Sequence, residues 1–134
     1  MHGELNKVRC SNCGSILDWS EDCSTTNICP NCKELGTLRP DVVWFGEMPY
    51  HLETIDEVLD YTDIFISIGT SGQVMPANLF ATVVSQNGRN ASVIEVNPNP
   101  TTDGAFNQTI AENATLGVPK LVEQLLLQYG TKAI

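Results

Sequence analysis

The pattern of apolar and polar residues divides the chain into two parts. Residues 1–40 are polar and weakly periodic, whereas residues 41–134 alternate apolar runs with turn residues. Short, nearly continuous apolar runs are typical of buried parallel strands, and apolar residues three and four apart are typical of amphipathic helices. The pattern therefore predicts strands over residues 41–45, 63–68 and 91–96, the second of them covered on both faces, and helices over residues 53–61, 76–86 and 119–128.

Strands that alternate with helices indicate an α/β fold. The alternation is typical of parallel βαβ units, so residues 41–134 are predicted to form the carboxy-terminal part of a Rossmann-like, doubly wound parallel sheet. A complete sheet of this type has about five or six strands, and the pattern accounts for three of them. We expect the missing strands to precede Met1. We also expect the strand edge and apolar surface that they leave uncovered to promote self-association.

Four cysteines have the spacing of a structural zinc site. Two C-x-x-C knuckles, separated by a spacer of 15 residues, are formed by Cys10, Cys13, Cys29 and Cys32. A two-residue gap lets one turn direct two thiolates at the same ion, and four sulfurs complete a tetrahedral shell. Residues 1–40 are therefore predicted to be a zinc-binding module, with Cys23 of the spacer as a free or packed thiol. The alternative, redox-active pairs, is less favoured because neither pair lies at a strand-to-helix turn.

The charge balance limits the partners of the chain. Sixteen acidic and seven basic residues give a net charge of −9, which disfavours direct nucleic-acid binding because that binding needs a cationic surface. The same charge suits a basic partner, such as a lysine-rich protein segment. The sequence contains neither an apolar run of about 18 residues, which a membrane span needs, nor a secretion signal. We therefore expect a protein of the cytoplasm, or of the nucleus if the source has one, with no membrane partner.

Two polar turns follow predicted strands. Gly69, Thr70, Ser71 and Gly72 come directly after the second strand, and residues 97–99, Asn-Pro-Asn, follow the third. Ligands of open α/β sheets bind beyond the carboxyl ends of the strands, and the amino end of a following helix favours phosphate. The two turns are consistent with a nucleotide site. Ordinary turn chemistry is the alternative, and local sequence alone does not decide between them.

The order of these motifs resembles that of the sirtuin (Sir2) family. The resemblance rests on His2-Gly3, the two knuckles, the stretch L-R-P-D-V-V-W-F-G-E over residues 38–47, Gly69-Thr70-Ser71 and Asn97-Pro98. The tryptophan of W-F-G-E is similar to the class III, bacterial-type branch of that family. The resemblance implies an NAD-dependent protein-lysine deacylase, of the deacetylase or desuccinylase type. It also implies a structural zinc ion, bound NAD and an acylated-lysine protein substrate.

The resemblance also implies roles for single residues. His2 resembles the catalytic general base. The positions that resemble contacts to NAD are Gly69, Thr70, Ser71, Asn97, Pro98 and Ala114. The positions that resemble contacts to the substrate peptide, as a clamp that pairs with its backbone, are Val43, Gly46, Glu47 and Val74. For Val43 and Val74, core packing is the alternative on sequence alone.

The chain departs from the family at its beginning. The glycine-rich NAD loop, the Q-N-x-D segment and the acyl-pocket residues of the family precede the catalytic histidine, and none of them is in this sequence. We therefore expect a fragment, a truncated product or one piece of a split protein, with little or no deacylase activity alone. A complementing amino-terminal half is one possible partner. The alternative function is a non-catalytic zinc-ribbon and half-Rossmann module that binds other proteins.

Overall fold

A computed structural model describes residues 1–102 and 104–130. The chain divides into two compact units, Met1–Glu53 and Thr54–Ile134, and each unit has its own sheet. This division differs from the boundary expected after residue 40, because the segment that follows residue 37 pairs with the amino-terminal strand of the chain. The assignment of zinc binding and NAD binding to the two predicted domains remains a prediction.

The first unit is built on a three-stranded antiparallel sheet. Its strands, in the order β2-β1-β3 across the sheet, are β1 (Gly3–Cys10), β2 (Ile16–Asp18) and β3 (Leu38–Val42). The buried apolar cluster of this unit consists of Val8, Cys10, Cys29 and Leu38. Two of these four residues are cysteines of the knuckles. The unit therefore combines a small apolar core with the sulfur cluster.

β3 replaces the strand predicted over residues 41–45, which was wrong in its bounds and in its sheet. The apolar run that suggested the strand ends in Trp44 and Phe45, which are 54% and 101% exposed and lie in a loop. β3 is held against β1 partly by a polar pair, since the buried carboxylate of Asp41 accepts the Nε–H of Arg9 at 2.9 Å. The apolar run marks an exposed loop rather than a core strand.

The second unit contains a parallel sheet with helices on both faces. Its strands, in the order β4-β5-β6, are β4 (Ile64–Ile68), β5 (Ser92–Val96) and β6 (Gln108–Ile110). Its helices are α1 (Leu52–Asp60), which begins in the first unit, a 3-10 turn (Ala77–Leu79), α2 (Phe80–Ser85) and α3 (Ala114–Tyr129). The predicted α/β class with parallel strands is confirmed.

β5 is the centre of the core because successive residues point to opposite faces of the sheet. On one face, Val93 packs in a buried cluster with Leu59 of α1 and Val84 of α2. On the other face, Ile94 and Val96 pack against Leu121 of α3. Fully burying side chains of this size contributes about 1.5–3 kcal/mol each. These two clusters are the main apolar stabilisation of the second unit.

β4 is an edge strand with one uncovered face. Ile64, Ile66 and Ile68 alternate along it and are 36%, 39% and 47% exposed. The prediction that this strand is covered on both faces is therefore wrong for the chain as described, because α3 packs against β5 and leaves the isoleucines of β4 outside its contact.

Helix bounds agree with the sequence pattern in part. The helix predicted over residues 53–61 is confirmed as α1, and the one predicted over 76–86 is divided into the 3-10 turn and α2. α3 begins at Ala114 rather than Pro119, because the N–H groups of Leu116 and Gly117 already donate to the carbonyl of Asn113, and Pro119 lies inside the helix. Among the described residues, no helix combines the length and apolar character needed to cross a membrane.

Candidate functional site

The two knuckles share one backbone geometry. In each, the N–H of the residue after the second cysteine donates to the carbonyl of the first at 2.9 Å, Gly14 to Cys10 and Lys33 to Cys29. Gly14 and Lys33 both have positive φ angles, of 71° and 64°, which is the conformation that reverses the chain and suits glycine best. The second knuckle therefore makes the turn of the first without a glycine.

These turns bring the four predicted metal ligands together. The sulfurs all lie within 4.8 Å of one another, with 3.7 Å between Cys10 and Cys32 and 3.9 Å between Cys13 and Cys29. A tetrahedral zinc ion with Zn–S bonds of about 2.3 Å requires sulfur separations of about 3.8 Å. The cluster therefore fits a structural zinc ion. Four sulfurs fill its coordination shell and leave no position for a substrate.

Polar groups around Cys10 and Cys13 favour the thiolate form that metal binding requires. The hydroxyl of Ser15 lies 3.1 Å from Cys13 Sγ and, with the Ser15 backbone N–H and the Asn31 amide, lowers the pKa of Cys13 to about 5. Thr37 Oγ1 lies 3.3 Å from Cys10 Sγ and lowers the pKa of that thiol. Cys23 lies outside the four-sulfur cluster and packs against the small core, as predicted.

A cleft of about 860 Å³ lies at the carboxyl ends of β4 and β5. It is lined by all six residues that the sequence assigned to NAD, namely Gly69, Thr70, Ser71, Asn97, Pro98 and Ala114. The carboxyl ends of parallel strands meet at one edge of a sheet, so the two polar turns face the same space. Ala114 is the first residue of α3, and the amino end of a helix favours negatively charged ligand groups.

Asn97 connects the two turns that form the cleft. Its Nδ2 donates to the carbonyl of Thr70 at 2.7 Å and to Oε1 of Glu95 at 3.3 Å. Its Oδ1 accepts the N–H of Asn99 at 3.0 Å. Only 7% of Asn97 is exposed. The side chain therefore shapes the cleft by fixing the positions of both turns.

Glu95 is a residue of the cleft that the sequence analysis missed. It is 1% exposed, and Oε2 accepts both the N–H of Thr101 at 2.9 Å and its hydroxyl at 3.3 Å. Among the described ion pairs, none involves Glu95. The available signal was a single acidic residue inside the apolar run of β5. A buried carboxylate needs hydrogen-bond donors, and these come from Asn97 and Thr101.

The loop after β3 contains three of the predicted substrate-binding residues. Val43, Gly46 and Glu47 follow the strand, so a strand at these positions is contradicted. The guanidinium of Arg39 stacks 3.7 Å above the ring of Trp44, and its Nη2 donates to Glu47 Oε2 at 2.9 Å. This pairing, with the backbone N–H of Trp44, lowers the pKa of Glu47 to about 2. Arg39 therefore fixes the loop while its apolar residues stay exposed.

His2 and Val74 lie in different units. His2 is an exposed residue of the first unit, and its carbonyl accepts the N–H of Val43 at 3.0 Å. Val74, in the second unit, is 60% exposed and is not a core residue of the chain as described, whereas Val43 is half-buried. The catalytic role of His2 and the substrate-binding roles of Val43, Gly46, Glu47 and Val74 remain predictions.

Fold and site together define a class of protein, one that joins a four-cysteine zinc module to part of a Rossmann-like nucleotide-binding domain. A family model described as "Sir2 family" matches residues 1–76, which is more than half of the sequence. The chain therefore belongs to the Sir2 family, as its motifs suggested.

Individual relatives agree with this assignment. An NAD-dependent protein deacylase of Bdellovibrio bacteriovorus is 42% identical over 127 residues, which are 94% of this chain and 52% of the relative. An NAD-dependent protein deacylase of Escherichia coli (strain K12) is 45% identical over 127 residues, again 94% of this chain but 45% of the relative. The chain thus spans about half the length of these curated relatives.

A solved structure supports the fold independently. The crystal structure of a Sir2 homologue in complex with NAD superimposes with a TM-score of 0.77 at 31% identity. The match covers 95% of this chain and 50% of the homologue. The mixed fold described above, with its parallel sheet and cysteine cluster, is therefore that of one part of a Sir2 protein.

Proposed function

We propose that the chain supplies the zinc module and one side of the NAD site of an NAD-dependent protein-lysine deacylase. One observation carries the proposal: the two polar turns and the start of α3 line a single cleft. Support comes from membership in the Sir2 family and from relatives that are named NAD-dependent protein deacylases. The substrate in this proposal is an acylated lysine of another protein, and the class III branch is its proposed subgroup.

The first turn of the cleft is suited to a close approach of nucleotide. Gly69 has a φ angle of 64°, and, apart from its two chain neighbours, no described residue has an atom within 4 Å of the place where a Cβ would be. Its backbone can therefore approach a ribose or phosphate. Thr70 Oγ1 accepts the N–H of Gly72 at 3.2 Å and keeps its own proton for donation. Bound NAD supplies the ribose carbon that loses nicotinamide and receives the acyl oxygen.

The loop after β3 is suited to a peptide backbone. Gly46 is exposed with a φ angle of 89°, and Arg39 immobilises its neighbour Glu47. We assign Val43, Gly46, Glu47 and Val74 to binding of the substrate peptide. We assign His2 to proton transfer from the ribose hydroxyl, because a neutral imidazole accepts protons near pH 7.

Binding of ADP-ribose to the purified, zinc-loaded chain tests the NAD site. In backbone NMR spectra, ADP-ribose is expected to shift the amides of Gly69, Ser71 and Ala114. Ser71→Ala removes a hydroxyl from the cleft and should weaken binding. Ser85→Ala is the matched control, because the hydroxyl of Ser85 bonds the carbonyl of Thr82 within α2. No shift in the cleft at millimolar ADP-ribose would contradict the NAD site.

Catalysis in this proposal also requires the part of the relatives that this chain does not span. The chain alone is expected to give no nicotinamide release from NAD and an acyl-lysine peptide. Addition of the separately produced amino-terminal half of a Sir2 relative is expected to restore it, and His2→Ala should abolish the restored activity. Deacylation by the chain alone would show that the site is complete. Peptide binding without ADP-ribose binding would instead support the non-catalytic module.

The uncovered edge of the sheet is the proposed contact for a partner. β4 presents Ile64, Ile66 and Ile68 beside a strand edge that no described residue pairs with, and such edges pair readily with other strands. We assign this edge to the complementing half or, in its absence, to self-association. Light scattering across a range of concentrations should show the average molecular mass rising with concentration, and a constant monomer mass would contradict self-association.

Because a thiolate site needs reducing conditions, we also propose a cytoplasmic location.

A further inference from the structure

The four sulfurs of the cluster differ in their exposure. Cys10 and Cys29, the first cysteines of the two knuckles, are 1% and 0% exposed and belong to the core. Cys13 is exposed, and Cys32 is partly exposed. Chelators and electrophiles from solvent can therefore reach the second cysteine of each knuckle more easily than the first.

Each of the two accessible sulfurs accepts a hydrogen bond from the opposite knuckle. Asn12, which lies between the cysteines of the first knuckle, donates from Nδ2 to Cys32 Sγ at 3.5 Å. Asn31, at the same position of the second knuckle, donates from Nδ2 to Cys13 Sγ at 3.5 Å. The two contacts are equivalent in donor, acceptor and length. They follow from the shared turn geometry, which places the third residue of each knuckle beside the other pair of sulfurs.

We propose that Asn12 and Asn31 are reciprocal positioning residues that retain zinc by bonding the accessible thiolates of the opposite knuckle. The proposal goes beyond the deacylase function and does not depend on it. Hydrogen bonds from outside the coordination shell orient metal ligands, and the loss of such bonds lowers metal affinity. Four thiolates around one zinc ion carry a net negative charge, in a chain whose own net charge is −9.

Among the described contacts, the side-chain nitrogens that donate to Cys32 and Cys13 belong to neutral amides. Lys33 is the basic residue nearest in sequence to the second knuckle, and its Nζ donates to the carbonyl of Pro30 at 2.7 Å. Cys13 also has the Ser15 hydroxyl at 3.1 Å. For Cys32, by contrast, the polar side chain that donates to Sγ is that of Asn12. We therefore expect the loss of Asn12 to have a larger effect than the loss of Asn31.

Zinc release from the full, zinc-loaded chain tests the proposal. The rate is measured with a colorimetric chelator, with and without a small thiol-alkylating reagent. Asn12→Leu with Asn31→Leu keeps the size of both side chains but removes both donors. Loss of outer hydrogen bonds lowers metal affinity by about 10–100-fold, so release from this double variant should be faster by about 10-fold or more. Asn6→Leu, at an exposed asparagine of β1 outside the knuckles, is the control and should release zinc at the original rate.

A spectroscopic measurement on the unmodified chain covers the case in which the variants fold poorly. With an NMR-active cadmium isotope in place of zinc, the side-chain amide protons of Asn12 and Asn31 should show scalar coupling to the metal through Cys32 and Cys13. Absence of coupling at both amides would overturn the proposal. So would release rates from the leucine variant equal to those of the Asn6→Leu control. If the leucine variant and an Asn12→Ala, Asn31→Ala double variant release zinc at the same rate, the lost hydrogen bonds account for the faster release. The lost bulk of the side chains then does not.

Discussion

The buried carboxylate of Glu95 gives the sharpest test of how the cleft is built. Glu95→Leu keeps the approximate size of the side chain but removes every acceptor. The N–H of Thr101 and one N–H of Asn97 then lose their buried partner. An unsatisfied buried donor costs about 1–3 kcal/mol. Removing the carboxylate also removes its desolvation cost, so we expect a net loss of about 2–4 kcal/mol in the free energy of unfolding of the second unit.

Urea unfolding of the zinc-saturated chain, followed by circular dichroism, measures this loss. Glu95→Gln keeps one oxygen for Thr101 but turns an amide towards Asn97, so it should lose about 1–2 kcal/mol. Glu112→Gln is the control in the same unit. Glu112 pairs with Lys120 on the surface, and exposed pairs contribute about 0–1 kcal/mol.

The same variants also report on the nucleotide site. Because Glu95 holds Thr101 and Asn97, Glu95→Leu is expected to weaken ADP-ribose binding at temperatures where the protein remains folded. If the leucine variant were as stable as the Glu112→Gln control and bound ADP-ribose equally well, the assignment of Glu95 as the support of the cleft would be wrong.

Three further predictions concern other parts of the chain. Chelation of zinc should unfold the first unit and leave the second folded, because the buried core of the first unit consists of Val8, Leu38 and two cysteines. Hydrogen exchange measured by mass spectrometry should show that protection is lost in β1–β3 and kept in the second unit. Gly117→Ala should destabilise by about 1–3 kcal/mol in urea, because the new Cβ would lie 2.6 Å from Val96 Cγ1, and a more stable variant would contradict the packing. Arg39→Lys cannot stack or form a forked bond, so the Trp44 indole NMR signal should move, whereas Lys33→Arg should leave it in place.

The second unit was largely predictable because its elements are local and strongly patterned. In β4 and β5 the positions that face the core recur every two residues, and in α1 they recur every three to four residues. These periods are visible in the sequence. The cleft was predictable as well, since the carboxyl ends of parallel strands place Gly69 and Asn97 at one edge. β6 is short, and its polar residues Gln108 and Thr109 gave no strand pattern.

The first unit resisted prediction because its order comes from pairings that are distant in sequence. β1 reads as a polar segment, yet it pairs with β3 across the whole spacer. Its stabilising contacts are an ion pair between Arg9 and Asp41 and the cysteine cluster. The spacing of the cysteines predicted the metal ligands, but it could not show that Trp44 and Phe45 would remain exposed.

The hydrogen bonds of Asn97 also decide what this side chain can offer a sugar. Both protons of its amide nitrogen are engaged, one by the carbonyl of Thr70 and one by Glu95. Only the second lone pair of Oδ1 is left, so a hydroxyl that meets Asn97 must give its proton and cannot receive one. An aspartate here would set two carboxylates side by side and lose the bridge to Thr70. The hydrogen bonds of the cleft therefore require an amide side chain at position 97 even without bound nucleotide.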